Sequence, residues 1–549
     1  MKTLSLDRNI LWLILLGIMI YIPFNGSVHL FDWDEINFAE SAREMIVTGN
    51  YLDVQINYET FWEKPPLFFW MQTVSMKMFG VNEFAARFPN AICGILTLIV
   101  LYLIGKTIKN KSFGLIWAAL YVVSLLPFFY FKSGIIDPWF NLFIFLGIWF
   151  SLQYTQGYHS LNTIRAVLSA AFIGLAMLTK GPVAILIFAL VSSIFILVKK
   201  FHVAIRWFDV IIYIIVLALI GGFWFILQIF NGNFEIIQQF VEYQIRLFTT
   251  QDAGHGGFFM YHIVVLFFGV FPASVFAIRE YYFRDTGNIQ LKHMHTWMII
   301  LLLVVVVIFS IVETKIVHYS SLCYFPITYL AAHRVYRIFH GIAKIKLFEK
   351  VLLLILSVLF ALFTIVFSVF RFFIPTIIEA DIINDSFAIA NIQAPVAWTG
   401  VEFISGLILL VSITFTLILF NKNKFKHAIV IFAFGLLCFQ MLAMKTILPR
   451  LEEMTQKTVI DFYKSLPEDD VYVETIGFKS YAHLFYFNKP KSEDGKNYNV
   501  NQLLWDSIDK PAYFVSKNTL KEEIITNHPQ LKVIEEKNGF VFYVRSIKD

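Results

Sequence analysis

The chain has 549 residues, of which 58% are hydrophobic, 17% aromatic and only 15% charged. An average soluble domain is about a quarter charged, so a soluble globular protein is excluded, and so is a membrane β-barrel, which would show short alternating segments. The net charge of +5 reads as loop bias rather than as a nucleic-acid surface.

Apolar runs of the length needed to cross hydrocarbon recur at roughly 9–28, 89–106, 113–131, 135–154, 165–179, 182–198, 209–229, 261–278, 296–312, 317–333, 351–373, 398–420 and 428–445, about thirteen in all. The expected class is therefore a polytopic α-helical membrane protein. Lys2 and Arg8 before the first run resemble a signal peptide, but no small-residue cleavage site follows, so the run reads as an uncleaved span. The cysteines Cys93, Cys323 and Cys438 lie in apolar runs and read as small core residues, with no disulfide framework.

Basic residues mark alternate loops. Lys106, Lys109 and Lys111, then Lys199, Lys200 and Arg206, then Arg279, Arg284 and Lys292, then Arg334 and Arg337, then Lys422, Lys424 and Lys426 belong to one side. The positive-inside rule makes that side cytoplasmic. The loops between them face the exterior. The first, about 29–88, is acidic and aromatic; within it Ile36–Val47 and Leu67–Phe79 read as short amphipathic helices suited to the lipid interface. Others run about 230–260, ending in Gly254-His255-Gly256-Gly257, and about 374–397.

Composition changes after Leu448-Pro449. Residues 1–448 form the membrane domain, and 449–549 a soluble α/β domain outside it. Leu451–Leu466 reads as a helix; Val471–Ile476, Ala512–Val515, Lys532–Glu536 and Phe540–Val544 read as strands, the last two joined by an Asn538-Gly539 hairpin turn. No internal repeat is visible, which weighs against an inverted-repeat transporter.

Asp34, Glu35, Glu63, Lys64, Asp137, Lys180, Glu313, Lys315 and His318 all fall at the exterior ends of spans. Charges near membrane depth are costly and are usually functional or paired. Asp34 and Glu35, about 100° apart on a helix, cannot both aim at one reacting atom. One serves as base while the other binds metal, pairs, or caps the helix. In Glu63-Lys64-Pro65-Pro66 the prolines put Lys64 just before a helix N-terminus, a natural anion site, or else Lys64 is an interfacial partner of Glu63. Thr179-Lys180-Gly181-Pro182 repeats that arrangement, with a snorkelling lysine as its plain alternative. Asp137-Pro138 opens a span as an acid or as an N-cap. His318 follows Glu313 and Lys315 closely enough to share a metal with a carboxylate, or to be simply hydrogen-bonded. Arg246 and His255 are further candidates for phosphate or acceptor contact. Carboxylates can deprotonate a hydroxyl acceptor, and lysines can stabilise a departing phosphate. With no nucleotide-binding glycine motif, a lipid-borne sugar is the expected donor. The competing readings are a transporter or flippase of a lipid-linked sugar, and a sensor whose C-terminal domain binds a ligand.

Asp34-Glu35-Ile-Asn-Phe-Ala-Glu40-Ser-Ala-Arg43-Glu44, then Gly49-Asn-Tyr-Leu, then Phe61-Trp-Glu63-Lys64-Pro65-Pro66 resemble the start of the protein O-mannosyltransferase-like glycosyltransferases of GT-C fold (glycosyltransferase family 39), in particular the bacterial lipid A aminoarabinose transferases. Leu178-Thr-Lys180-Gly-Pro182 and Lys315-Ile-Val-His318-Tyr319 are similar to later family signatures, so the resemblance covers about 9–335. It implies a sugar donor on a polyprenyl (undecaprenyl) monophosphate and a lipid A, protein or glycan acceptor. It also implies a place in the bacterial inner membrane, with the site and the C-terminal domain on the periplasmic side. By the same resemblance Asp34 is the catalytic base, Lys64 contacts the donor phosphate, Asp137 is an acid of the site, and Glu63 and His318 occupy positions that can hold a divalent metal. The family pattern Lys-Leu-Pro is Lys315-Ile316-Val317 here, a departure in the loop that carries His318.

Overall fold

A computed structural model of the chain describes residues 7–156, 162–200, 202–249, 256–280, 288–381, 383–468, 470–491 and 498–547; His255 and Arg284 lie outside them. In hydrocarbon every backbone N–H and C=O must be satisfied within its own segment, and each expected span falls on a helix or on consecutive helices. Among the described residues six helices are long and apolar enough to cross a membrane: Glu83–Ile108, Asn162–Lys180, Ile289–Ile311, Leu347–Phe372, Phe403–Asn421 and Phe425–Met454. Trp207–Gly221 and Phe223–Phe230, bent by 60° at Gly222, add a seventh if they act as one span. The expected thirteen is thus not reached on length alone, because several apolar runs are broken. The run at 113–131 divides at Ser124 into Lys111–Val123 and Leu125–Tyr130, and the run at 261–278 divides before Pro272 into Tyr261–Gly269 and Ala273–Ala277.

The first long loop, about 29–88, is built as expected in outline. A helix Asp34–Thr48 ends on Gly49 at φ +69°, a left-handed stop that favours glycine. Strands β1 (Gln55–Ile56) and β2 (Glu59–Thr60) then form a small hairpin that the sequence reading missed. Its turn residues Asn57 and Tyr58 both have positive φ, the backbone a tight hairpin turn requires. The helix Leu67–Phe79 follows directly after Pro66.

One expectation is overturned here. Asp34–Thr48 does not lie on the lipid interface, since every residue from Glu35 to Met45 is buried. Phe38 and Met45 pack with Val54, Phe68, Phe69 and Ile136 on one side. Ile36, Ala39 and Ala42 pack with Ile460, Tyr463, Phe485 and Phe542 of the C-terminal domain on the other. The helix is a layer between membrane body and soluble domain, so its polar residues must find partners inside. Arg43 donates to both oxygens of Glu40 (2.7 and 2.6 Å) and to the Lys489 carbonyl (3.1 Å). The Tyr58 backbone N–H donates to Glu44 (2.8 Å). Burial first, and the Glu40 charge next, push the Glu44 carboxyl up to about 9.

The C-terminal domain carries a four-stranded sheet of β3 (Tyr472–Thr475), β4 (Ala512–Lys517), β5 (Lys532–Lys537) and β6 (Phe540–Arg545). Their order is β3-β4-β6-β5, with β3 parallel to β4 and the other pairs antiparallel. The expected helix Leu451–Leu466 is broken into Leu448–Met454 and Lys457–Ser465.

Candidate active site

The helix ends next to the first long loop enclose a cavity of about 590 Å³. Asp34, Glu35, Glu63, Lys64, Asp137, Lys180, Arg246 and His318, all singled out from the sequence, line it together. Side chains spread over almost 300 positions therefore meet at one place. A smaller, mostly apolar pocket of about 70 Å³ shares Lys64, Asp137, Lys180 and Tyr319 with the cavity and continues between Phe140, Val183, Ile187, Phe309 and Leu322.

The neighbouring acids Asp34 and Glu35 divide their work as the helical geometry requires. Arg87 donates to both oxygens of Glu35 (2.9 and 2.8 Å) and also to the carbonyls of Asn25, Val28 and His29. The N–H groups of Phe31 (3.0 Å) and Gly134 donate to the same carboxylate. Burial alone would raise the Glu35 carboxyl, but the Arg87 charge and these bonds hold it below the usual carboxylate range. Glu35, expected among the catalytic acids, has no oxygen left for a substrate; it fastens the first loop to the span Glu83–Ile108. Asp34 is the acid left open, its side chain 39% exposed.

His318 lies between two acids, with Nε2 3.4 Å from Asp34 Oδ2 and 3.9 Å from Asp137 Oδ2. Its carbonyl accepts from Tyr130 and Ser321, which fixes the short helix Val317–Cys323. Asp137 is buried and accepts from the Lys180 ammonium through Oδ1. Its Oδ2 is closed to solvent without a hydrogen-bond partner among the described residues. Lys180 sits where expected, just before Gly181 at φ +102°, and lies 5.1 Å from the Tyr319 ring centroid.

Lys64 stands 3.9 Å from Glu63 and 4.9 Å from the centre of the Tyr243 ring, with Arg246 on the same ring at 5.2 Å. Both Tyr243 and Arg246 come from the helix Phe234–Thr249. Burial, chiefly, lowers the Lys64 ammonium below an ordinary lysine, and the neighbouring Lys180 charge acts in the same direction. Such a group gains from a bound anion.

Two expectations change. Lys315 does not line the cavity. Its ammonium is buried and donates to the carbonyls of Phe309 (3.2 Å), Ser310 (2.8 Å) and Val312, the last carbonyls of the helix Ile289–Ile311, which have no intrahelical donor. Glu63 and His318, expected to hold a metal, take separate partners: Lys64 for Glu63, and Asp34 and Asp137 for His318. Among the described residues no three His, Cys, Asp or Glu side chains gather into a metal site, and two ammonium groups close to His318 oppose a dication there. These residues do not fit a bound metal ion.

The sequence reading quoted Tyr319 in a family signature but gave no role to the aromatic rings Trp33, Tyr243 and Tyr319, and it missed Lys479 and Tyr481, which the C-terminal domain adds to the cavity wall. It also missed Arg87, although a lone arginine entering an apolar span is a signal that an acid must be near.

Residues 63–225 match the family model described as dolichyl-phosphate-mannose-protein mannosyltransferase. The undecaprenyl phosphate-alpha-4-amino-4-deoxy-L-arabinose arabinosyl transferase of Photorhabdus laumondii is 25% identical over 319 residues, 57% of this chain and 56% of that protein. A protein of the same description from Pseudomonas fluorescens, numbered 2, is 27% identical over 338 residues, 58% of each chain. The alignments thus span little more than half the length of these curated relatives. The crystal structure of ArnT from Cupriavidus metallidurans bound to undecaprenyl phosphate superposes with a TM-score of 0.79 at 16% identity, covering 98% of both chains. The chain is a multi-pass membrane protein with the GT-C fold of that transferase, and the family resemblance carried by Asp34-Glu35 and Glu63-Lys64-Pro65-Pro66 is borne out.

Proposed function

We propose that this protein is a membrane glycosyltransferase that moves a sugar from a polyprenyl monophosphate to a hydroxyl of a lipid, protein or glycan acceptor, on the periplasmic face of a bacterial inner membrane. The observation that carries the reading is one cavity in which an open carboxylate, Asp34, shares walls with Lys64, Lys180 and Arg246 above an apolar pocket. The curated relatives' names and the undecaprenyl phosphate held by the structural relative support the same donor class. The basic-rich loops on the other side support the orientation.

In this reading the donor's isoprenoid chain enters the apolar pocket, and its phosphate is held by Lys64, Lys180 and Arg246. Asp34 takes the proton from the acceptor hydroxyl, whose oxygen attacks the anomeric carbon. The bond from that carbon to the phosphate oxygen breaks, and the polyprenyl phosphate leaves with the electron pair. The lysines and Arg246 stabilise the charge on the departing phosphate. His318 and the Lys180–Asp137 pair set the position of Asp34 and of the phosphate cradle. The test is turnover of a sugar-linked undecaprenyl phosphate by the purified protein, with a glycosidic product and free undecaprenyl phosphate expected. Movement of the intact donor across vesicles with no glycosidic product would replace the transferase by a transporter.

A further inference from the structure

Toward the other end of the bundle lies a second cavity, of about 200 Å³ and mostly apolar. Ser169 in its wall stands about 16 Å along the helix Asn162–Lys180 from Lys180, so the cavity belongs to the side of the basic loops. Phe188 and Ser192 of the helix Val183–Val198, Val210 and Tyr213 of Trp207–Gly221, and Trp297 of Ile289–Ile311 form its walls. Val210 is also exposed, with Ile211 and Ile214 beside it on the outer surface, so the mouth opens on hydrocarbon. Trp207 and Phe208, exposed at the start of the same helix, are the aromatic rings expected where membrane meets water.

Polar atoms inside this cavity lack partners. Trp297 is 1% exposed, and its indole N–H has no acceptor among the described residues. The Ser192 hydroxyl is in the same state, and so is the Tyr213 hydroxyl; Ser169, its near neighbour, gives its own proton to the Gly147 carbonyl (2.8 Å). Donors left without acceptors in an apolar cavity cost free energy that a ligand bearing acceptors recovers. Asp209, the acid of the wall, is already taken: Arg206 (2.7 and 3.1 Å), Thr163 (2.8 Å) and Tyr154 (2.9 Å) donate to it.

The rim is cationic. The Lys199 ammonium lies 5.6 Å from the centre of the Phe195 ring, which packs on Trp297 at 4.7 Å. Among the described residues the charge that acts on Lys199 is that of Lys292, a second cation, and both act on His293. Like charges gathered at one rim gain from a shared anion. Trp297 lies about 7 Å deeper along its helix than Lys292, the order in which a glycerophospholipid places its phosphate and its acyl esters. A dry apolar cavity of about 150 Å³ admits a benzene-sized body, so this one admits a section of one acyl chain and no headgroup.

We propose that this cavity is a binding site for an anionic glycerophospholipid of the surrounding leaflet. One acyl chain enters between Val183–Val198 and Trp207–Gly221. An ester oxygen accepts from Trp297, with Ser192 and Tyr213 as further donors, and the phosphate lies over Lys199 and Lys292. A polyprenyl phosphate carries the charge but no ester oxygen, and so leaves the indole unanswered. The site stands apart from the catalytic cavity and does not depend on the transferase reading.

The experiment uses the full chain, stripped of lipid in detergent, with three probes followed by native mass spectrometry: dioctanoyl phosphatidylglycerol, dioctanoyl phosphatidylcholine and geranylgeranyl phosphate. One phosphatidylglycerol should be retained per chain, about 25-fold tighter than phosphatidylcholine, about fivefold for each lysine. The surface variant Lys199→Gln/Lys292→Gln should lose that preference and keep its phosphatidylcholine binding. Ser192→Phe, which fills the cavity, should lose both lipids. Phosphatidylglycerol with a diazirine at the end of one acyl chain should label the segments 188–195 or 207–213. Equal retention of the two phospholipids by the unaltered protein overturns the proposal. So does a preference that survives in the double lysine variant, labelling confined to other segments, or displacement of the label by an equal concentration of geranylgeranyl phosphate. If Ser192→Phe does not fold, the lysine variant and the label still decide.

Discussion

Asp34 and Glu35 are adjacent acids, and the structure gives them opposite consequences on substitution. Glu35→Ala removes the partner of Arg87, whose side chain is only 2% exposed, and strips the acceptor from the N–H groups of Phe31 and Gly134. Breaking a buried ion pair from one side costs about 3–5 kcal/mol, because the remaining charge stays buried without compensation. Some of that loss is recovered because Arg87 keeps its three carbonyl acceptors, so the lower end of the range applies. Glu35→Ala should therefore lower the thermal midpoint of the detergent-solubilised protein by a few degrees and reduce the folded yield. Asp34→Asn keeps the shape of a part-exposed side chain and should leave the midpoint within a degree or so. It should cut turnover by about 10²–10⁴-fold, the usual worth of a general base. Thermal unfolding followed by light scattering and a radiolabelled-sugar transfer assay separate the two. A Glu35→Ala protein as stable as the parent but inactive, beside an active Asp34→Asn protein, would refute the division of roles.

Lys64 carries its charge only below its own lowered pKa, so donor KM should begin to rise at a lower alkaline pH than for an ordinary lysine. Lys64→Arg should move that rise upward, as read from pH profiles of donor KM. Lys315→Met leaves the last carbonyls of Ile289–Ile311 without their donor and should destabilise by about 1–3 kcal/mol, with donor KM unchanged in steady-state kinetics. A Cβ on Gly181, at φ +102°, would stand 2.8 Å from the Phe240 ring. Gly181→Ala should thus displace the helix that carries Tyr243 and Arg246, raising donor KM more than it lowers the thermal midpoint. Glu44 binds its proton more tightly folded than unfolded, up to about pH 9. It therefore lowers stability as pH rises from about 4.5 through that range, and Glu44→Gln should flatten the decline in midpoints measured from pH 5 to 9.

The membrane body was legible because its signals are local. Apolar runs predict helices wherever the backbone must satisfy itself, and the proline pair before Leu67 set the start of Leu67–Phe79 to the residue. The acids and lysines of the cavity were legible for a related reason: a charge at membrane depth needs a purpose, so each one is conspicuous in an apolar sequence. Lys315 shows where that inference fails. Its purpose is to satisfy a helix end, and no feature of the sequence distinguishes a lysine that binds its own carbonyls from one that binds a phosphate. Likewise Asp34–Thr48 was misplaced on the lipid interface, because its composition fits equally a helix half in lipid and one covered by a second domain.

The C-terminal contribution was not legible at all. Lys479 and Tyr481 lie in a charged, soluble stretch where lysine and tyrosine are unremarked, and only the docking of that domain over Asp34–Thr48 brings them to the cavity. That docking has a mechanical consequence for the whole site. The helix that begins with Asp34 is packed on one face by the membrane body and on the other by the soluble domain, and the Arg43–Glu40 pair is closed by a carbonyl of Lys489. The position of the open carboxylate is therefore set by both domains at once. In the proposed transfer the phosphate cradle of Lys64, Lys180 and Arg246 lies outside that contact, so weakening the contact should raise the acceptor KM before the donor KM, as read from steady-state kinetics.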